Sequence, residues 1–226
     1  MLTRTRILVW ILAAWILACS PEPPSGRDDR RAAAVTAETA APVMVAMGDS
    51  LTAGYGLDPE QAYPALLEAR LRAEGHRWRV INAGISGETS SGALSRADWV
   101  IERLQPRIVI LVTGANDGLR GIDPDLVGRN LRALVRRFQK AGALVILGGM
   151  RMVANLGGDY TAAFEALYPA VARETGAVLI PFFLEGVAGD PRLNQADGIH
   201  PTAEGYERIV AHIYPAVLGA VARKEK

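Results

Sequence analysis

With 226 residues, half of them hydrophobic, the chain has room for one domain with a full core, and its 25 basic and 24 acidic residues leave it close to neutral. That balance excludes a dedicated nucleic-acid binder, because the basic residues are scattered along helical patterns and Arg27, Arg30 and Arg31 are mixed with Asp28 and Asp29. A single cysteine excludes an intramolecular disulfide.

The first nineteen residues differ in kind from the rest. Arg4 and Arg6 precede an apolar stretch over 7–18, too short to span a bilayer comfortably and shaped like a secretory h-region. Ile16-Leu17-Ala18-Cys19 closes that stretch with a small residue and the cysteine, and resembles the lipobox of bacterial lipoproteins. The resemblance implies that Cys19 is lipidated, becomes the new N-terminus and attaches the chain to a membrane. Leu17 is a less usual residue at its position, and the alternative to lipidation is an ordinary signal peptide or an uncleaved anchor with an incidental cysteine. Residues 20–42 are rich in Pro, Ala, Ser, Thr and charge without periodicity, the composition of a flexible tether. The folded domain is expected over 43–226, exported to the bacterial periplasm or envelope.

Within it, short runs rich in Val, Ile and Leu at 43–47, 79–82, 108–113, 144–148 and 178–182 read as strands buried on both faces. Between them, 61–74, 94–104, 124–141 and 160–175 carry apolar residues at three- and four-residue spacing, and 203–222 follows the last strand. Pro59, Pro106, Gly142 and Gly176 punctuate the changes. Strands alternating with helices imply an α/β fold, a five-stranded parallel sheet covered on both sides in a three-layer α/β/α sandwich. In such sheets ligands bind beyond the carboxyl ends of the strands.

The chemistry-bearing residues collect at those ends. Gly48-Asp49-Ser50-Leu51 follows the first strand and puts a hydroxyl where it can project from the sheet. An alcohol is a poor nucleophile near neutrality and needs a base; His200 can serve, and Asp197, three residues earlier, can fix its tautomer and stabilise the imidazolium. Acyl transfer also requires oxyanion donors, a single side-chain amide being worth roughly 3–4 kcal/mol of barrier. Gly114-Ala115-Asn116-Asp117, after the third strand, supplies such an amide in Asn116. The segment from Asn82 to Ser90 supplies glycines whose backbone N–H groups can approach a substrate closely.

Ser50 in Gly-Asp-Ser-Leu, a glycine block after the second strand, Gly-x-Asn-Asp after the third and Asp-x-x-His near the end, in that order, resemble the four signatures of the SGNH, or GDSL, hydrolases. The likeness runs from about Val43 to the C-terminus and is greatest to the bacterial branch of multifunctional periplasmic thioesterases, lysophospholipases and arylesterases. It includes Ile85-Ser86-Gly87-Glu88-Thr89-Ser90, Asn116-Asp117-Gly118-Leu119-Arg120-Gly121, Tyr168-Pro169, Pro181-Phe182-Phe183 and Asp197-Gly198-Ile199-His200-Pro201. The resemblance implies the flavodoxin-like SGNH fold and a catalytic set of Ser50, Asp197 and His200. It implies an oxyanion hole from the N–H groups of Ser50 and Gly87 and the amide of Asn116, with Gly84 the second choice for the glycine. It implies no cofactor and no metal. Residues 150–160 correspond to a loop beside the acyl pocket in that branch but differ in detail, so Met150, Met152, Val153 and Leu156 are expected to contact the acyl chain, with Gly157-Gly158 as a hinge.

The expected partners are a small-molecule ester, thioester or lysophospholipid substrate and, through Cys19, a membrane; the oligomeric state is not encoded legibly. Two competing readings are a carbohydrate O-deacetylase and a non-catalytic lipoprotein that binds lipid or a partner in the same pocket. Binding alone places no demand on a nucleophile, which disfavours the second. His76 and His212 read as surface and packing residues, and Asp49 and Asp117 as acids that hold the turns around Ser50 and Asn116.

Overall fold

The computed structural model describes residues 41–152 and 157–225. They lie in one compact unit, Ala41–Lys226. Five strands form a single sheet: β1 (Val43–Gly48), β2 (Arg79–Gly84), β3 (Ile108–Val112), β4 (Leu144–Gly148) and β5 (Val178–Ile180). All neighbours pair in parallel in the order β2-β1-β3-β4-β5.

The helices are α1 (Ser50–Ala53), α2 (Tyr63–Ala73), α3 (Ser90–Leu104), α4 (Ala115–Leu119), α5 (Pro124–Lys140), α6 (Gly158–Thr175) and α7 (Ala203–Lys224). α3, α5 and α6 pack side by side, as do α2 and α7, giving the two helical layers of an α/β/α sandwich. The core centres on β1, β3 and β4: Met44–Met47 in β1 and every residue of β3 are buried. Parallel strands covered on both faces need this unbroken apolar run rather than alternation.

The two edge strands depart from that expectation. β2 is only partly buried, and β5 ends at Ile180, short of the expected Phe182. An edge strand has a neighbour on one side only, so its outer residues stay partly exposed. The helical segment expected over 61–74 is divided into a 3-10 turn, Pro59–Gln61, and α2, with Ala62 extended between them as the N-cap of α2 and Pro64 in the first turn, where its missing N–H costs nothing. α3 starts earlier than its apolar spacing suggests, at Ser90, where the Thr89 side chain accepts the N–H of Gly92 as an N-cap. α4 was not legible as a helix at all.

The strand order reverses direction between β1 and β3: α2 carries the chain from β1 outward to β2, and α3 carries it back past β1 to β3. This is the topological switch point at which α/β sheets open a crevice beyond the strand ends. Ser50 follows one strand at that crevice and Asn116 follows the other.

Candidate active site

Ser50 opens α1, with Asp49 as its N-cap; Asp49 Oδ1 accepts the N–H of Leu51 at 3.0 Å. Gly48 is fixed by crowding, since a Cβ there would overlap the Val112 carbonyl and the Thr52 hydroxyl. Tyr206, buried on α7, donates to the Leu51 carbonyl at 2.9 Å and holds α1 from below. The turn that presents the hydroxyl is therefore tied on three sides.

His200 Nε2 lies 2.9 Å from Ser50 Oγ, and His200 Nδ1 lies 2.7 Å from Asp197 Oδ2. The other Asp197 oxygen accepts the backbone N–H groups of Ile199 at 2.9 Å and His200 at 3.0 Å, closing a tight loop around Gly198 at φ +70°. These bonds, led by the His200 backbone N–H, hold the Asp197 carboxyl down at about 2. The loop is anchored by Gln195, whose side-chain amide donates to the carbonyls of Tyr55 at 2.7 Å and Pro201 at 3.0 Å, and by Thr202, which caps α7. The Tyr55 ring stands beside the imidazole, with ring centroids 4.6 Å apart.

Opposite His200, the loop after β2 meets α4. Asn116 donates one amide N–H to the Glu88 carbonyl at 3.1 Å and lines the cavity, leaving its second N–H available there. Gly87, at φ +78°, lines the same cavity, and Arg120 donates to its carbonyl at 3.0 Å. Among the described residues, no protein acceptor takes the backbone N–H of Ser50 or of Gly87. Gly84, the second choice, does not line the cavity; a Cβ there would overlap the backbone of Ala53, so its missing side chain serves packing between β2 and α1. Beneath the loop, Arg96 pairs with both Glu88 oxygens at 2.6 and 2.7 Å and donates to the Ala83 carbonyl at 2.7 Å.

The two neighbouring acids have structural partners. Asp117 accepts the N–H and hydroxyl of Ser90 at 2.7 and 2.6 Å, locking α4 to the start of α3. Asp49 is fully buried, and desolvation raises its carboxyl to about 6 against the weaker opposing pull of the Leu51 N–H and of His200. Both acids support the site from outside the cavity, as the sequence suggested. His212 lies on α7 with Nε2 2.9 Å from the Phe182 carbonyl and does not line the cavity.

Ser50, Gly87, Asn116 and His200 share one cavity of about 450 Å³. Of the expected acyl contacts, Met150 and Met152 line it, whereas Val153, Leu156 and the lipidation candidate Cys19 lie outside the described residues. Its walls also include Leu51, Tyr55, Leu119, Phe182, Leu184 and Ile199, none of which the sequence assigned to the acyl contacts. Chemically, the arrangement offers a hydroxyl on a base, an acid that orients the base, and unclaimed N–H groups across an apolar slot.

Residues 46–208 match the sequence model of the GDSL-like lipase/acylhydrolase family. The chain is 40% identical over 183 residues to the esterase TesA of Pseudomonas aeruginosa, covering 81% of this chain and 91% of TesA. It is 40% identical over 165 residues to thioesterase 1/protease 1/lysophospholipase L1 of Escherichia coli K12, covering 73% of this chain and 78% of that one. Among solved structures, the psychrotrophic esterase EstA of Pseudoalteromonas sp., inhibited by monoethylphosphonate, superposes with a TM-score of 0.75 at 36% identity, covering 78% of this chain and 97% of EstA.

Proposed function

Because the chain belongs to the GDSL-like lipase/acylhydrolase family and is an ester hydrolase, we propose that Ser50 is its nucleophile, His200 the general base and Asp197 the acid that orients it. The observation that carries this reading is the continuous Asp197–His200–Ser50 chain of hydrogen bonds, at 2.7 and 2.9 Å, opening into the shared cavity. Ser50 Oγ attacks the ester or thioester carbonyl as its proton passes to His200 Nε2. The carbonyl oxygen, now negative, is received by the N–H groups of Ser50 and Gly87 and the free amide N–H of Asn116. Collapse of the tetrahedral intermediate breaks the bond to the leaving alcohol or thiol, which takes the proton from His200 and leaves an acyl-Ser50. Water, deprotonated by His200, attacks that acyl group by the same route in reverse and frees the carboxylic acid.

The substrates are acyl esters and thioesters with an apolar acyl or aryl part, lysophospholipids among them. Support comes from the apolar walls built by Leu51, Met150, Met152, Phe182 and Leu184, and from relatives that carry thioesterase and lysophospholipase names. The same walls disfavour the O-deacetylase reading, because an acetyl group on a sugar has no use for an extended apolar slot. Export through the first nineteen residues and a lipid on Cys19 complete the proposal, placing the enzyme on the envelope by its tether; the lipobox-like Leu17-Ala18-Cys19 supports this. Labelling with an alkyl fluorophosphonate tests the nucleophile directly. The wild type should be labelled and inactivated together and Ser50→Ala should do neither; labelling that persists in the variant overturns the assignment.

A further inference from the structure

Six large apolar side chains are markedly exposed among the described residues; three of them line one opening, and a fourth directly precedes two of its lining residues in the chain. Tyr55, Leu119 and Ile199 line the cavity and are each about half exposed, and Ile85, equally exposed, precedes the lining residues Ser86 and Gly87 without lining the cavity itself. They come from four different loops or helix ends at the carboxyl edge of the sheet, so no single amphipathic element explains their grouping. Concentrated exposure of this kind around a mouth marks a surface that meets something apolar.

Two arginines stand in the same ring. Arg120 follows Leu119 and has no carboxylate within ion-pairing distance among the described residues; its guanidinium donates instead to the neutral Gly87 carbonyl. Arg151 lines the cavity, with its guanidinium 4.8 Å from the Phe182 ring centre and its nearest carboxylate, Glu185, at 3.9 Å. A cation at the rim of an apolar patch complements a lipid surface, where phosphate groups lie just outside the acyl region.

We infer that the cavity mouth is itself a docking surface for a lipid–water interface bearing anionic phosphate groups, with Tyr55, Ile85, Leu119 and Ile199 entering the acyl boundary and Arg120 and Arg151 meeting the phosphates. The inference rests on the esterase reading above only for its purpose: a docked mouth receives an acyl chain directly from a bilayer or micelle without passing it through water. It is separate from any lipid on Cys19, which would tether the chain without orienting the cavity.

The test uses the chain from Ala41 onward, so that the N-terminal segment plays no part. That unit holds the whole described core, and the match to the solved EstA structure covers 97% of the EstA chain. Co-sedimentation with phosphatidylcholine vesicles containing phosphatidylglycerol should show binding that weakens in high salt. Ile85→Ser should lower vesicle affinity by roughly fivefold to tenfold, from the loss of about half a buried isoleucine side chain, while p-nitrophenyl acetate turnover stays at the wild-type level. Trp99→Ser, which removes an equally exposed apolar residue on α3 outside the cavity lining, should leave vesicle binding intact. Absence of vesicle binding by the wild type, or equal losses in the two variants, overturns the inference. A concentration-dependent dimer that Ile85→Ser dissolves, with no vesicle binding, would assign the ring to a second copy instead. Failure to hydrolyse p-nitrophenyl acetate at all would count against the esterase reading and not against the docking surface.

Discussion

Arg120 donates to the carbonyl of Gly87, a residue that lines the cavity, at 3.0 Å, and so grips the peptide just beyond the N–H proposed as an oxyanion donor. Gly87 sits at φ +78°, and a Cβ there would meet only the Arg120 guanidinium, at 3.9 Å, so the loop is held by this bond and by the Asn116–Glu88 bond rather than by close packing. Arg120→Ala should therefore lower kcat several-fold to tenfold with little change in KM for a small soluble ester, because a loosened donor fails where charge develops. Arg120→Lys should restore part of the loss. A rise in KM with kcat intact would place Arg120 in substrate binding instead.

Asn116→Ala should cost more, roughly a hundredfold in kcat, since it removes both the proposed oxyanion amide and the strut to the Glu88 carbonyl. Ser50→Ala should abolish turnover, His200→Ala should cost nearly as much, and Asp197→Ala somewhat less, because the three act as a unit. Steady-state kinetics on p-nitrophenyl esters checks all four, and near-native turnover by Ser50→Ala would remove the nucleophile from the scheme.

Much of this site was legible because its chemistry sits at strand exits. Ser50 and Asn116 follow β1 and β3, whose uninterrupted apolar runs identify them as central strands, and the structure brings both to one cavity with His200, which is bonded in turn to Asp197. The supporting residues were not legible, for a physical reason. Arg96, Arg120 and Gln195 act largely through backbone carbonyls, of Ala83, Gly87, Tyr55 and Pro201, which carry no signature in a sequence. On a helix pattern such residues look like a solvated face. α4 escaped for a related reason: Ala-Asn-Asp-Gly-Leu has no apolar period and is composed of turn formers, yet Asp117 fastens it to Ser90 in the interior. The apolar ring around the mouth is likewise assembled from separate loops, so periodicity could not reveal it.

Hydrolysis should fall on the acid side as the imidazole of His200 takes up a proton and can no longer act as base. Asp197, held at about 2, stays ionised throughout that range, so the acid limb belongs to the histidine and not to the orienting acid. A profile flat from about pH 5 to 8 would exclude a histidine base.

Stability should carry a different signature, from Asp49. Its carboxyl ionises near the ordinary value of about 4 in the unfolded chain and at about 6 in the folded one. The folded state therefore holds the extra proton between the two values, and its contribution to stability falls as pH rises from about 4 to about 6, then levels. Asp197 acts in the opposite sense, with stability present above about 4 and lost as pH falls toward about 2. Asp49→Asn removes the first effect while keeping an oxygen for the Leu51 N–H. The Tm of the variant minus that of the wild type should accordingly rise by a few degrees between pH 4.5 and pH 7.5. A constant difference would mean that Asp49 is not ionising at the expense of the fold.

Cys19→Ala should release the full-length chain from the membrane fraction or change its processing. Stable anchoring needs more than one acyl chain, which a lipidated N-terminal cysteine would supply. Mass spectrometry of the mature N-terminus decides the matter: an unmodified cysteine there, or cleavage beyond it, removes the anchor from the proposal.

Acyl-chain selectivity should respond to Gly118 through Met152. Gly118 lies in α4 directly beneath Met152, and a Cβ at that position would overlap the thioether. Alanine suits a helix better than glycine, so Gly118→Ala leaves α4 sound and pushes the flexible Met152 side chain aside. Met152 is a wall of the cavity, so the change moves that wall by about the width of a methylene or two. Each methylene buried against it is worth about 0.8 kcal/mol, and discrimination between acyl chains on that scale is several-fold rather than orders of magnitude. The ratio of octanoate to acetate hydrolysis should shift by that amount in Gly118→Ala, while acetate turnover, which needs only the Ser50 end of the slot, stays within a few-fold of wild type. Met152→Ala, which opens the wall instead of displacing it, should move the ratio toward the longer chain. An unchanged ratio in both variants would mean that the acyl chain runs along another wall, with Phe182 and Leu184 the next to vary.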